Sequence, residues 1–122
     1  MGYQIEWEQG GAIKYFTGTV SGGDLVNSER EVVNHARFDA FRYVISVYLT
    51  AVRFTFSDED REDLLALRLG GYLTNPRIRY AIVAESEHIR NQVMNSIEAR
   101  LVRHPTALFD NFMDAVAWAH TR

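Results

Sequence analysis

The sequence predicts a mixed α/β domain built on a mostly parallel sheet of about five strands. Three observations carry that prediction. Short β-branched and aromatic runs alternate with amphipathic stretches of helical period, in the order β-β-α-β-α-β-α-β-α, which calls for right-handed crossovers between parallel strands. Tyr43-Val44-Ile45-Ser46-Val47-Tyr48-Leu49 is nearly unbroken in its apolar character, as expected of a central strand covered on both faces. The first two runs are joined by Gln9-Gly10-Gly11, which suits a tight hairpin and makes the sheet mixed. With 122 residues, 47% of them hydrophobic and 24% charged, the chain is expected to form one domain over residues 1–122 that needs no disulfide or metal to hold its core.

Each element has a local reason. Tyr3, Ile5 and Trp7 alternate with Gln4, Glu6 and Glu8, the period of an edge strand with one wet face. Ala12 to Thr17 follows as its antiparallel partner, with positive φ angles expected in the glycines between them. Ser21 suits a helix N-cap, and Leu25, Val26, Val32, Val33 and Ala36 form the apolar face behind it, with Glu29, Arg30 and Glu31 opposite. Ser57 opens a second helix whose acids Asp58, Glu59 and Asp60 match the dipole. That helix is expected to bury Leu64, Leu65, Leu67, Leu69 and Tyr72, and Asn75-Pro76 stops it. Arg77 to Ala84 is the next strand. Ser86 caps a third helix carrying Ile89, Val93, Ile97 and Leu101, which His104-Pro105 ends. Thr106 to Phe109 is a last strand, and Asp110 is expected to cap a terminal helix with Phe112, Met113, Val116 and Ala119 inward.

Composition narrows the function classes. Without cysteine there is no disulfide scaffold, thiolate metal site or cysteine nucleophile. Thirteen basic against sixteen acidic side chains give a net charge of −3, which argues against nucleic acid as a partner. No apolar run approaches a membrane span, and the first residues lack a signal-peptide layout, so the expected location is the cytoplasm.

Candidate chemistry is sparse. Ser21-Gly22-Gly23 lacks the lysine of a phosphate loop, and Asp24 repels an anion there. The acids from Asp58 to Asp63 splay around a helix instead of wrapping one point, so no calcium site is expected. His35, His88, His104 and His120 show no metal-ligand spacing, and His35 and His104 suit helix C-termini. Ser86-Glu87-His88 cannot converge on one helix, so no serine catalysis is expected. Arg77 and Arg79 share one side of a strand, with Arg90, Arg100 and Arg103 placed on the helix after it. Those arginines suit either a phosphate patch or scattered surface ion pairs. Phe54 and Phe56 lie on one side of an extended link, suited to plugging the core or, with Tyr48 and Tyr72, to walling an apolar pocket.

Several short stretches in order carry a resemblance over nearly the whole chain: Tyr3-Gln4-Ile5-Glu6-Trp7, Phe16-Thr17-Gly18-Thr19-Val20-Ser21, Arg37-Phe38-Asp39, Phe54-Thr55-Phe56-Ser57, Asn75-Pro76-Arg77-Ile78-Arg79 and Ala117-Trp118. With them the chain resembles the STAS-type, SpoIIAA-like domains, in particular small single-domain bacterial proteins related in fold to CRAL-TRIO lipid-binding domains. The resemblance implies a SpoIIAA-like β–α superhelix that binds rather than catalyses. Phosphorylatable antagonists carry an Asp-Ser pair after the central strand, and Leu49 to Ser57 contains none, so the switch does not carry over. Val47-Tyr48-Leu49-Thr50 also lacks the aspartate that the small proteins tend to place there. The expected function is therefore a non-catalytic binding or regulatory interaction domain, without cofactor or metal. Its expected partners are a second copy in a homodimer and a regulatory protein, and the alternative is a carrier or sensor of a small apolar ligand or lipid. Loops after parallel strands diverge into a crevice, which places the expected site at Thr19, Ser21, Thr50, Phe54, Phe56, Glu85 and Ser86.

Overall fold

The computed structural model describes residues 2–49, 52–96 and 103–121. A hairpin of β1 (Tyr3–Glu8) and β2 (Gly11–Phe16) comes first, followed by the short β3 (Thr19–Ser21) and helix α1 (Gly22–Val33). A 3-10 turn at Phe38–Ala40 leads into β4 (Tyr43–Tyr48), then β5 (Arg53–Thr55) and α2 (Asp58–Thr74). The chain continues through β6 (Arg79–Val83), α3 (Glu87–Ser96), β7 (Thr106–Phe109) and α4 (Phe112–Ala119).

Five strands form one sheet in the order β1-β2-β4-β6-β7, antiparallel at β1–β2 and parallel elsewhere. The all-buried β4 lies in the middle, with Lys14 opposite Ser46 and Tyr43 opposite Arg79 in register. On one face α1 and α2 pack over an apolar layer that includes Phe16, Val20, Leu25, Leu64 and Ile82, and a second layer holds Val32, Phe38, Phe41, Ile78 and Tyr80. Among the described residues the other face is covered by α4, through Ala115 and Ala119 against Ile45, Val47, Ala81 and Val83.

Some local readings are corrected. β3 and β5 pair in parallel as a separate two-stranded ribbon, Val20 beside Phe54, where only connecting chain was expected. The hairpin does not rely on a positive φ at a glycine; that conformation belongs to Gly18, at 65°, where the chain passes from β2 to β3. Gly11 is needed for another reason, since a Cβ there would overlap the Tyr43 carbonyl. Asn111, not Asp110, caps α4, accepting from the Asp114 amide at 2.9 Å. Ala36 lies beyond α1 and is exposed. Arg103 lies in a bend before β7, while Ile97, Arg100 and Leu101 fall outside the described residues.

The largest correction concerns the inward faces of α1 and α2. Glu29, expected on the wet side, is fully buried. On α2 the inward stripe is Leu64, Arg68 and Gly71, whereas Leu65 and Leu69 point outward at 38% and 40% exposure. The apolar count along α2 exceeds what one face can hold, so periodicity alone did not decide which leucines turn inward.

Candidate functional site

At the C-terminal end of the sheet the expected residues separate into two groups. Thr19 and Ser21 on β3 stand beside Arg53 and Thr55 on β5, with Phe54 between those two. Phe54 packs against the core with its ring 5.5 Å from Tyr48, and Phe56 joins the same layer while Arg61 lies 5.0 Å over its ring. Tyr72 stands apart from them, edge-on to His104 at 5.1 Å. Glu85 and Ser86 open α3, where the Ser86 hydroxyl accepts from the Ile89 amide at 3.3 Å and Arg90 donates to the Glu85 carbonyl at 3.0 Å. Thr50 lies outside the described residues. Glu85 borders a hollow of about 370 Å3 with Leu49, Val83, Asp110 and Phe112, on the α4 side of the sheet.

The serines here are engaged in caps. Ser21 accepts from the Asp24 amide at 3.0 Å, and Asp24 returns the bond to the Ser21 amide at 3.1 Å. Ser57 makes the same reciprocal arrangement with Asp60 at the start of α2. Ser57→Ala is expected to lower stability by about 1 kcal/mol in urea titrations. With Asp58, Glu59 and Asp60 beside it, the same hydroxyl is expected to carry no phosphate in intact-mass spectra of protein isolated from cells.

A buried polar cluster lies between the two apolar layers under α1 and α2. Lys14 Nζ donates to Glu29 Oε1 at 2.7 Å, Arg68 Nε stands 3.3 Å from the same oxygen, and the Tyr80 hydroxyl donates to Glu29 Oε2 at 2.9 Å. The Arg68 guanidinium also lies 3.8 Å over the Tyr80 ring. Burial by itself pushes the Glu29 carboxyl up, but Lys14 and Arg68, with the bonds from Lys14 and Tyr80, outweigh it and hold the group at about 2. Tyr80 continues to His104, 5.0 Å between rings, and His104 Nε2 donates to the Asn75 carbonyl at 2.8 Å. Burial lowers the His104 pKa, so the ring is neutral. His104 was expected at a helix end and instead belongs to the core. Lys14 alternates with apolar neighbours on β2, and its place between Ile13 and Tyr15 is the only hint in the sequence that a charge sits inside.

The α4 side offers a hollow of about 1000 Å3 between α4, β1 and β2. Ile13, Tyr15, Phe112 and Val116 line its apolar part, Glu6 and Glu8 its β1 wall, and Arg42, Arg77 and Arg79 the end where β4 and β6 begin. The Tyr43 hydroxyl donates to Glu8. Burial first, and then Glu8, pushes the Tyr43 phenol up; the Tyr15 phenol is raised by burial and then by Glu6 and Glu8. Among the described residues no group of three or more His, Asp or Glu is arranged to hold a metal ion, and no helix is long and apolar enough to cross a membrane.

No family model matches the sequence, and no curated protein matches it at a significant level. Solved structures do match. An uncharacterised DUF3478-family protein with a SpoIIAA-like fold from Shewanella loihica is 16% identical with a TM-score of 0.59, covering 96% of this chain and 91% of that one. The anti-sigma factor antagonist SpoIIAA in its unphosphorylated form is 14% identical with a TM-score of 0.54 over 94% of both chains. The phosphorylated Bacillus cell fate determinant SpoIIAA is 10% identical with a TM-score of 0.54, over 97% and 99%. With this strand order and these full-length matches, the fold of the chain is that of the SpoIIAA-like, STAS-type domains.

Proposed function

We propose that the chain is a non-catalytic interaction domain of a bacterial cytoplasmic protein, and that it pairs with a second copy of itself through α2. The observation that carries this reading is the outer stripe of that helix: Leu65, Leu69 and Leu73 stand one turn apart at 38%, 40% and 74% exposure. Beneath α2 the space is already taken by Leu64, Leu67, Arg68 and Gly71, whose missing side chain lets Phe38 and Val33 approach. A filled underside with an apolar outside favours a docking surface over an apolar carrier site in this part of the fold. Three leucines along about 12 Å of helix suit a twofold contact, in which one stripe meets its own copy. The likeness in fold to a protein described as an anti-sigma factor antagonist supports a regulatory use of such a contact.

Light scattering at tens of micromolar is expected to report a dimer, and the double substitution Leu69→Glu, Leu73→Glu is expected to weaken association at least about tenfold while leaving the fold intact. A monomeric wild-type chain, or a dimer that survives both substitutions, overturns the reading.

A further inference from the structure

The α4 face of the sheet carries charges for which α2-mediated pairing has no use. Helix α4 is 8 residues long and packs over β4, β6 and β7. On the same side Ile13 of β2 is buried, Tyr15 is half-buried and Glu6 of β1 is exposed, and the hollow of about 1000 Å3 lies along them. That volume is at the upper end of what small organic ligands occupy. Its floor is apolar, through Ile13, Tyr15, Phe112 and Val116.

The three arginines at its end are not ion-paired with any carboxylate among the described residues. Arg79 donates to the Trp118 carbonyl at 2.9 Å and lies 5.4 Å over that indole. Arg42 donates to the carbonyls of Asp39 and Phe41, and Arg77 is exposed. The acids in the lining, Glu6 and Glu8, belong to β1; Glu8 lies in one register row with Gly11, Tyr43 and Arg79, three strand spacings of ~4.8 Å from β6 and two from the start of β4, where Arg42 stands. The trough thus carries its arginines on the β4–β6 side, its acids on the β1 side and an apolar floor between them.

We propose that this trough binds a small monocarboxylate with an apolar body, its carboxylate on the arginine end and its body on Ile13, Tyr15, Phe112 and Val116. Guanidinium groups bind a carboxylate through paired N–H donors, and aromatic and branched side chains take up the body. Glu6 and Glu8 make the site selective, because a second negative charge along the ligand meets the β1 wall. This site and the α2 surface lie on opposite faces of the sheet and stand or fall separately.

The test is an amide NMR titration of the full chain with octanoate, octan-1-ol and octanedioate. Octanoate is expected to shift Ile13, Tyr15, Arg77 and Val116 saturably, with the alcohol and the diacid each about tenfold weaker. Arg77→Gln is expected to lower octanoate affinity to that of the alcohol without changing the alcohol's. Glu6→Gln is expected to raise octanedioate affinity toward that of octanoate. The Leu69→Glu, Leu73→Glu protein is expected to bind octanoate like wild type, which keeps a failure of pairing apart from a failure of this site. Absence of saturable shifts, equal binding of octanoate and octan-1-ol, or indifference to both substitutions overturns the proposal.

Discussion

Glu29→Ala is expected to destabilise the fold by about 3–5 kcal/mol, since removing one partner of a buried ion cluster leaves the others desolvated and uncompensated. A domain of this size has about 5–15 kcal/mol in total, so the variant is expected to be largely unfolded at modest urea concentrations. The reason lies in the geometry: Glu29 accepts from Lys14 at 2.7 Å and from Tyr80 at 2.9 Å, and Arg68 stands 3.3 Å away. Without the carboxylate, two cations face each other inside the core. Replacing all three charges together, as Lys14→Met, Glu29→Leu, Arg68→Met, is expected to bring stability back to within about 2 kcal/mol of wild type or above it, because well-packed apolar groups escape the desolvation cost. Urea midpoints of the two proteins check both statements, and a single Glu29→Ala within 1 kcal/mol of wild type by the same linear extrapolation would refute the account.

The same cluster sets the acid limit of the fold. Glu29 has a folded pKa of about 2 against an ordinary 4.5, so its stabilisation is complete above 4.5 and is lost as pH falls toward 2. His104 acts in an earlier window. Its folded pKa is held below the ordinary 6.5 by burial, so the neutral ring costs nothing above 6.5 and opposes folding progressively as pH falls below that value. Acid unfolding monitored by circular dichroism is expected to show a gradual loss below 6.5 that steepens below 4.5, with Glu29→Gln removing the lower part.

Much of the fold was legible because local rules and the global arrangement agree. The alternation at Tyr3, Ile5 and Trp7, the unbroken run from Tyr43, and the caps at Ser21 and Ser57 all follow from short-range physics. The β3–β5 ribbon was not legible, since Thr19-Val20-Ser21 and Arg53-Phe54-Thr55 are each too short to show a period and their pairing is a long-range event. The buried charges were hidden for a different reason. Glu29 and Arg68 sit at inward positions of helices whose patterns read equally well one residue over, and each is made tolerable inside by a long-range partner: the Glu29 carboxylate compensates Arg68, and Lys14 and Tyr80 bond that same carboxylate. The trough on the α4 side depends on how short α4 is relative to the sheet, which the spacing of Phe112, Val116 and Ala119 does not reveal.

Asn75 shows how a residue read as a stop signal can be a structural hub. It ends α2, as Asn75-Pro76 predicts, but its side chain is buried at 2% exposure, and its Nδ2 donates to the carbonyls of Phe38 and Phe41, both at 2.8 Å. Its Oδ1 accepts from the Arg77 amide at 3.2 Å, and its own carbonyl accepts from His104. The side chain thereby ties the 3-10 turn before β4 to the entry to β6, while the backbone amide closes the end of α2 on the Gly71 carbonyl. Asn75→Asp keeps the shape and removes both donors, turning a carboxylate oxygen toward two buried carbonyls. At about 1–3 kcal/mol for each buried group left unsatisfied, the cost is expected to be about 4 kcal/mol, with Asn75→Ala about 3. The loss should begin locally. Amide hydrogen exchange is expected to accelerate at Ala40 and Phe41, whose amides close the 3-10 turn on Arg37 and Phe38, before it does so in β4. Backbone turns of this length have little stability of their own, so equal protection of the turn in wild type and Asn75→Asp, or a loss below 1 kcal/mol in urea, would overturn the role given to the side chain.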